Sequence, residues 1–173
     1  MMNEKRGLSV VVASVLLVLL TISAVAIVAN FIIPFTDKSL EKTECFKFRD
    51  YFSFDDSFNY NCYDKTNKVY VLTVKARPDS SGSDKITGFK FKLVGGGNAI
   101  TVDGNAGDPE SNLKMIDARL GNGKIIIPSS ADKYSTLSYN YSSNEIYDKV
   151  EIYPVLKGER ICEQSDSLQI SEC

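Results

Sequence analysis

The first third of a hundred residues contains one unbroken apolar stretch. Between Leu8 and Ile33 the chain has 26 residues without a charge, and 21 of them are apolar. The polar ones are Ser9, Ser14, Thr21, Ser23 and Asn30. As a helix rising ~1.5 Å per residue, the stretch would be ~39 Å long, which exceeds the ~30 Å hydrocarbon core of a bilayer. Because it is apolar on every side, it must be surrounded by lipid or by other helices, and Pro34 predicts its end.

Beyond the charged stretch that begins at Asp37, the pattern changes to short segments of alternating apolar and polar residues. The predicted strands are Phe46–Arg49, Val69–Ala76, Ile86–Val94, Ala99–Val102, Leu113–Ala118, Lys124–Ile127, Thr136–Tyr141 and Val150–Leu156. Predicted turns separate them, at Asp79–Ser83, Gly95–Asn98, Asp103–Asn105, Gly121–Gly123 and Lys157–Gly158. This spacing predicts an all-β, immunoglobulin-like antiparallel sandwich of about seven or eight strands.

These patterns divide the chain into three parts. Residues 1–7 form a charged leader, residues 8–40 a hydrophobic helix with a short stalk, and residues 41–173 a β-sandwich head. The head alone is long enough to bury a core of its own.

Composition narrows the function. The 173 residues carry 20 basic and 22 acidic side chains, a net charge of −2, which argues against a nucleic-acid binder that relies on bulk positive charge. The chain has no His, so catalysis by Ser-His-Asp or Cys-His groups and His-based metal sites are excluded. We therefore expect neither an enzyme nor a cofactor.

The basic pair Lys5 and Arg6 stands immediately before the apolar stretch. The positive-inside rule places this end in the cytoplasm and the head outside. Three interpretations remain open. A secretory signal could be cut at Ala24-Val25-Ala26, although its apolar core would be unusually long; the stretch could be a permanent anchor; or a cut after Gly7 could remove the charges and keep the whole helix.

At this junction the stretch KRGLSVVVASVLLVLLTISAVAIV resembles the archaeal type IV pilins with their class III signal peptides. In that family a prepilin peptidase cuts after the Gly, so the resemblance implies that Gly7 and Leu8 flank the cut and that Leu8 starts the mature chain. Bacterial pilins usually carry a Glu at the fifth mature position, where this chain has Val12, and this departure favours the archaeal branch. Archaellins, which are close relatives, usually open their helices with a different pattern.

The resemblance implies a structural subunit of a surface filament used for adhesion or attachment. The precursor would sit in the membrane and then assemble with copies of itself through residues 8–33. The other implied partners are the peptidase, an assembly ATPase and its membrane platform protein. The resemblance also implies a β-rich head, in agreement with the strand pattern.

Two other functions stay open. The chain could be a singly anchored, immunoglobulin-like binding module that never polymerises. It could also be an anchored extracellular enzyme, since scattered carboxylates can make a glycosidase site.

The four cysteines, Cys45, Cys62, Cys162 and Cys173, all lie in the part expected outside, where disulfides persist. Four cysteines permit three connectivities, and the sequence does not choose among them. We prefer Cys45 with Cys62 and Cys162 with Cys173, because both loops are short and the second bridge would hold the chain end. Close C-x-x-C pairs, which a metal site would need, are absent from the sequence.

Other candidate sites are weaker. The loop with Asp103, Asn105, Asp108 and Glu110 offers oxygen ligands for calcium, but turn formation explains its composition equally well. Asn140-Tyr141-Ser142 is a glycosylation sequon. Gly95–Gly97 lacks the residues of a phosphate-binding loop and predicts a hairpin turn. The neighbouring carboxylates Asp55 and Asp56 are expected to be solvated.

Overall fold

The computed structural model describes residues 4–32, 35–36, 43–57, 60–77, 83–129 and 134–173. It divides into two compact units between Thr43 and Glu44, and each is described by itself. This division lies close to the boundary that the sequence predicts between stalk and head.

The N-terminal unit contains one long helix. Helix α1 spans Glu4–Ile27 and continues as a π-helical turn over Val28–Ile32. It begins before the apolar stretch because Glu4 to Gly7 are also good enough helix formers to extend it by one turn. The predicted end at Ile33 and Pro34 lies outside the described residues.

The head contains two β-sheets. Its strands are β1 (Phe52–Phe54), β2 (Cys62–Asp64), β3 (Val69–Ala76), β4 (Ile86–Gly95), β5 (Asn98–Asn105), β6 (Leu113–Met115), β7 (Thr136–Ser142), β8 (Lys149–Leu156), β9 (Arg160–Ile161), β10 (Asp166–Gln169) and β11 (Ser171–Glu172). The first sheet has the order β11-β2-β3-β7-β6, with β1 also on β3; the second has the order β10-β8-β4-β5, with β9 also on β8. Among the described strand pairs, β2–β11 alone is parallel.

The two sheets enclose an aromatic core. Phe89 and Phe91 of β4 are completely buried, and Lys90 between them faces outward, as the period of two predicts. The ring of Phe89 lies 5.9 Å from that of Phe52 and 5.0 Å from that of Tyr139, both of which belong to the opposite sheet. These contacts across the interior confirm the predicted β-sandwich.

Two predicted strands are wrong. Residues 44–51 form consecutive helical turns, in which the amide of Phe48 donates to the carbonyl of Cys45 and the amide of Tyr51 to that of Phe48. Because a turn does not place alternate residues on one side, Phe48 is buried while Phe46 is 68% exposed. The segment Lys124–Ile127 is irregular and pairs only through a single bridge between Pro109 and Lys124.

Several boundaries also differ. Strand β5 continues through the predicted turn at Asp103–Asn105, because Gly104 leaves room for the Phe89 ring: a Cβ there would lie 2.4 Å from two ring carbons. The predicted strand Leu113–Ala118 ends at Met115, and the short helix α2 (Ala118–Gly121) follows. Its N-cap Asp117 accepts a hydrogen bond from the amide of Arg119 at 3.1 Å.

Other details follow the sequence closely. Gly96 and Gly97 both have positive φ, as a two-residue hairpin between β4 and β5 requires, so the predicted turn is confirmed. The strands β1, β2, β9, β10 and β11 are not among the predicted ones, since segments of two to four residues are too short to show a period.

Candidate functional site

The surface of α1 is the largest apolar surface that the structure describes. The stretch Val10–Ile32 is 23 residues long, enough to cross a membrane, and none of it is buried within the protein. Leu17 is 64% exposed, Leu20 71% and Phe31 71%. A helix of this kind needs an apolar environment that the head does not provide.

The polar side chains of α1 are hydrogen-bonded to the helix itself. The hydroxyl of Ser14 donates to the carbonyl of Val11, and that of Thr21 to the carbonyl of Val18, each at 2.8 Å. Ser23 donates to Leu19 in the same way, and the amide of Asn30 donates to Ala26. These side chains therefore need no external partner, which removes most of the cost of placing them in lipid or among apolar helices.

The predicted processing junction lies inside the helix. Lys5, Arg6, Gly7 and Leu8 all have helical backbone in α1. A cut after Gly7 would leave a helix of 20 residues, Leu8–Ile27, followed by the π-helical turn. The cut itself stays a prediction.

All four cysteines form disulfides, which confirms their predicted role, but the preferred pairing is wrong. The bridges join Cys45 to Cys162 and Cys62 to Cys173, each with Cα atoms 5.1 Å apart. The reason is the topology: β11 runs parallel to β2 with Ser171 opposite Cys62, and this pairing carries the chain end to Cys62. Loops of 117 and 111 residues are closed by long-range strand pairing, which the local sequence does not reveal.

An ion cluster accompanies the first bridge where the head begins. The carboxylate of Glu44 contacts the Lys85 ammonium at 2.7 Å and the Arg160 guanidinium at 3.0 Å. The hydrogen bond and charge of Lys85, followed by the charge of Arg160, lower the pKa of Glu44. Sequence reasoning missed this cluster because its members stand 41 and 116 positions apart and show no local pattern.

The loop proposed for calcium does not gather its oxygens. The carboxylate of Asp103 binds Lys90 at 2.6 Å, and that of Glu110 accepts the amide of Met115 at 3.0 Å. Asp108 accepts from the side-chain amide of Asn105 at 2.9 Å. Over the described ranges, no three Cys, Asp or Glu side chains are placed to hold a metal ion. The carboxylates of this loop hold the loop itself.

The sequon lies in the middle of a paired strand. Asn140 belongs to β7, between Val71 of β3 and Lys114 of β6, and is half-buried. Its side-chain oxygen is buried without a hydrogen-bond partner in the structure. Because the flanking residues are fixed in a sheet, we expect any glycan to be attached before this strand is paired.

The carboxylates of the head are arranged as structural groups. Glu151 is 8% exposed and accepts hydrogen bonds from Lys149 at 2.7 Å and from the Tyr153 hydroxyl at 2.6 Å; these contacts lower its pKa. The side chain of Asp55 accepts the amide of Ser57 in a tight turn, and its pKa is lowered by that residue. A glycosidase acid needs a raised pKa, so neither group suits that role.

Comparison of the chain with protein-family models, with curated proteins and with solved structures finds no match. The arguments for its function therefore rest on its own residues.

Proposed function

We propose that this chain is the structural subunit of an archaeal type IV pilus-like surface filament, made as a membrane precursor, cut after Gly7 and assembled through residues 8–33. The observation that carries the proposal is the complete exposure of Val10–Ile32. Immersing its roughly twenty apolar side chains in water at ~1.5 kcal/mol each would cost on the order of 30 kcal/mol. The finished protein must therefore keep this helix in lipid or among copies of itself.

Three further features support a filament subunit. The polar groups of α1 bond to the helix itself, so the same helix suits both a bilayer and a helix bundle. Transfer between two apolar surroundings is nearly balanced, which lets an assembly motor and close packing decide the outcome. The disulfide-bonded head suits an oxidising exterior, in agreement with the orientation that Lys5 and Arg6 predict.

In this mechanism, removal of residues 1–7 takes away the charges that hold the N-terminus at the cytoplasmic face. The helix that remains enters the filament core. The heads then cover the filament and contact surfaces. The partners are further copies of the chain, a prepilin peptidase, an assembly ATPase and its membrane platform protein, and no catalysis is assigned to this chain.

A singly anchored, β-sandwich binding module is the second candidate. The observation that favours it is the length of the helix, since 23 residues suffice for one membrane span without any assembly.

Intact-mass analysis of protein extracted from the cell surface separates the candidates. A mature chain that begins at Leu8 and is recovered from sheared filaments supports the pilin. A chain that keeps Lys5 and Arg6 and occurs only as single copies supports the anchored module and refutes the proposal. A chain that begins at Ile27 indicates ordinary secretion.

The variant Gly7→Val tests the cut site, because a branched side chain at this position should block the peptidase. We expect uncut precursor in the membrane and no filaments. Ser9→Ala, two positions further on, is the matched control and should mature normally. Normal maturation of Gly7→Val would show that the assigned cut site is wrong.

A further inference from the structure

Two large apolar side chains of the head are exposed on either side of one disulfide. Phe46, which follows Cys45, is 68% exposed, and Ile161, which precedes Cys162, is 54% exposed. The bridge holds the Cα atoms of its two cysteines 5.1 Å apart and so keeps these neighbours on one small area of surface. We name this area, formed by Phe46, Ile161 and the bridge between them, the collar.

The collar is rigid. Phe48 and Tyr51, which follow in the same turns, are 2% exposed and anchor this segment in the core. Glu44 links the segment to both Lys85 and Arg160. An apolar surface that is already fixed loses little conformational entropy on binding, which is typical of an interface anchor. Isolated exposed apolar residues need no explanation, but a fixed pair of them beside a covalent bridge does.

We propose that the collar binds the head-proximal end of helix α1 of a neighbouring copy, around Phe31 and Phe35. This inference rests on the proposed function, because it requires copies assembled around a common core of helices. Both aromatic side chains are more than 70% exposed, so they need an apolar partner.

Chain continuity supports this occupant. Eleven residues separate Ile32 from Glu44, so each collar is tethered close to the ends of the neighbouring helices in such a core. The stretch Leu8–Ile33 has no charge and offers an apolar contact without desolvating an ion. Beside the collar, Ile161 and Val155 line a cleft of about 520 Å³, which is large enough to admit an aromatic side chain.

The first test compares filament yield in two variants with the same change in chemistry. We expect Phe46→Ser/Ile161→Ser to mature and form both disulfides but to give at least ten-fold fewer filaments. The control is Ile116→Ser/Ile146→Ser, which alters two similarly exposed residues, 48% and 61%, in other parts of the head. We expect its filament yield to stay within two-fold of wild type. Equal yields for the two variants would overturn the collar proposal while leaving the filament subunit intact.

The second test identifies the occupant. A photo-crosslinking amino acid replaces Phe46 in the full chain, and filaments are grown from a mixture of light and heavy isotope-labelled copies. Crosslinks between light and heavy chains that map to residues 28–36 support the proposal. Crosslinks only within one copy, only to heads or only to lipid would overturn it. Absence of any filament from the wild-type chain would instead refute the proposed function itself, and the collar proposal with it.

Discussion

Removing the disulfides in pairs tests whether long-range closure stabilises the head. In the chain-entropy model, a bridge that closes a loop of 117 or 111 residues stabilises the fold by about 5 kcal/mol when it is the only one. Once one bridge exists, however, the other closes a shorter circuit. That circuit runs from Cys45 to Cys62 and from Cys173 back to Cys162, about 28 residues. The second bridge then adds only about 3.6 kcal/mol.

The variants are Cys45→Ala/Cys162→Ala, Cys62→Ala/Cys173→Ala and the chain with all four changes. We expect each pair to cost about 3.5 kcal/mol and all four changes about 8.4 kcal/mol, which exceeds the sum of the two pairs by about 1.3 kcal/mol. The pairing that the sequence favoured closes two separate short loops. It would give about 6 kcal/mol in total, with no excess over the sum.

The assay is equilibrium unfolding by guanidinium chloride of the full chain in detergent micelles. The near-ultraviolet circular dichroism of tyrosine is followed, because the chain has no Trp and its nine Tyr all lie in the head. Peptide mapping without reduction verifies the remaining bridge in each variant. Costs that add within error, or a total near 6 kcal/mol, would refute the nested-loop reasoning.

Three further predictions concern single features. Since the pKa of Glu44 is lowered by Lys85 and Arg160, its ion pairs stabilise the head above the unfolded value of 4.5, and this contribution is lost as the pH falls through the lower folded value. Glu44→Gln should therefore flatten the acid side of a plot of unfolding midpoint against pH, and an unchanged slope would contradict the argument. Gly104→Ala should destabilise the head by about 1–3 kcal/mol, since its Cβ would meet the Phe89 ring; a denaturant midpoint equal to wild type would refute this close packing. In α1, Thr21→Val should leave membrane insertion and filament yield within two-fold of wild type, whereas Val18→Lys should abolish insertion or assembly at a cost of about 3 kcal/mol; a strong defect in Thr21→Val would show that its hydroxyl has an external partner.

The sequence predicts the two parts of the molecule for different reasons. The apolar stretch 8–33 is visible because it lacks charge over a length that only a helix in an apolar environment satisfies. Strands such as β4 are visible because Phe89, Phe91 and Leu93 alternate with lysines. The alternation at Phe46–Arg49 is misleading, since four residues carry too little period to distinguish a strand from a turn whose Phe48 enters the core.

The ends of the head were harder to predict. The strands β9, β10 and β11 are held by partners far away in the chain, and their own side chains carry almost no pattern. The cluster around Glu44 and the collar exist only because these late segments return to the start of the head.

By itself, the sequence determined that this protein has an uncharged helix which must be kept from water, and a polar β-rich head in which every Cys forms a disulfide. Both follow from composition and periodicity over short distances. Only the tertiary structure decided which cysteines meet, which aromatic residue of residues 44–51 is buried and which is exposed, and where the two carboxyl oxygens of Glu44 find their cations. These features depend on contacts between residues more than forty positions apart, and such contacts are fixed by the packing of whole sheets.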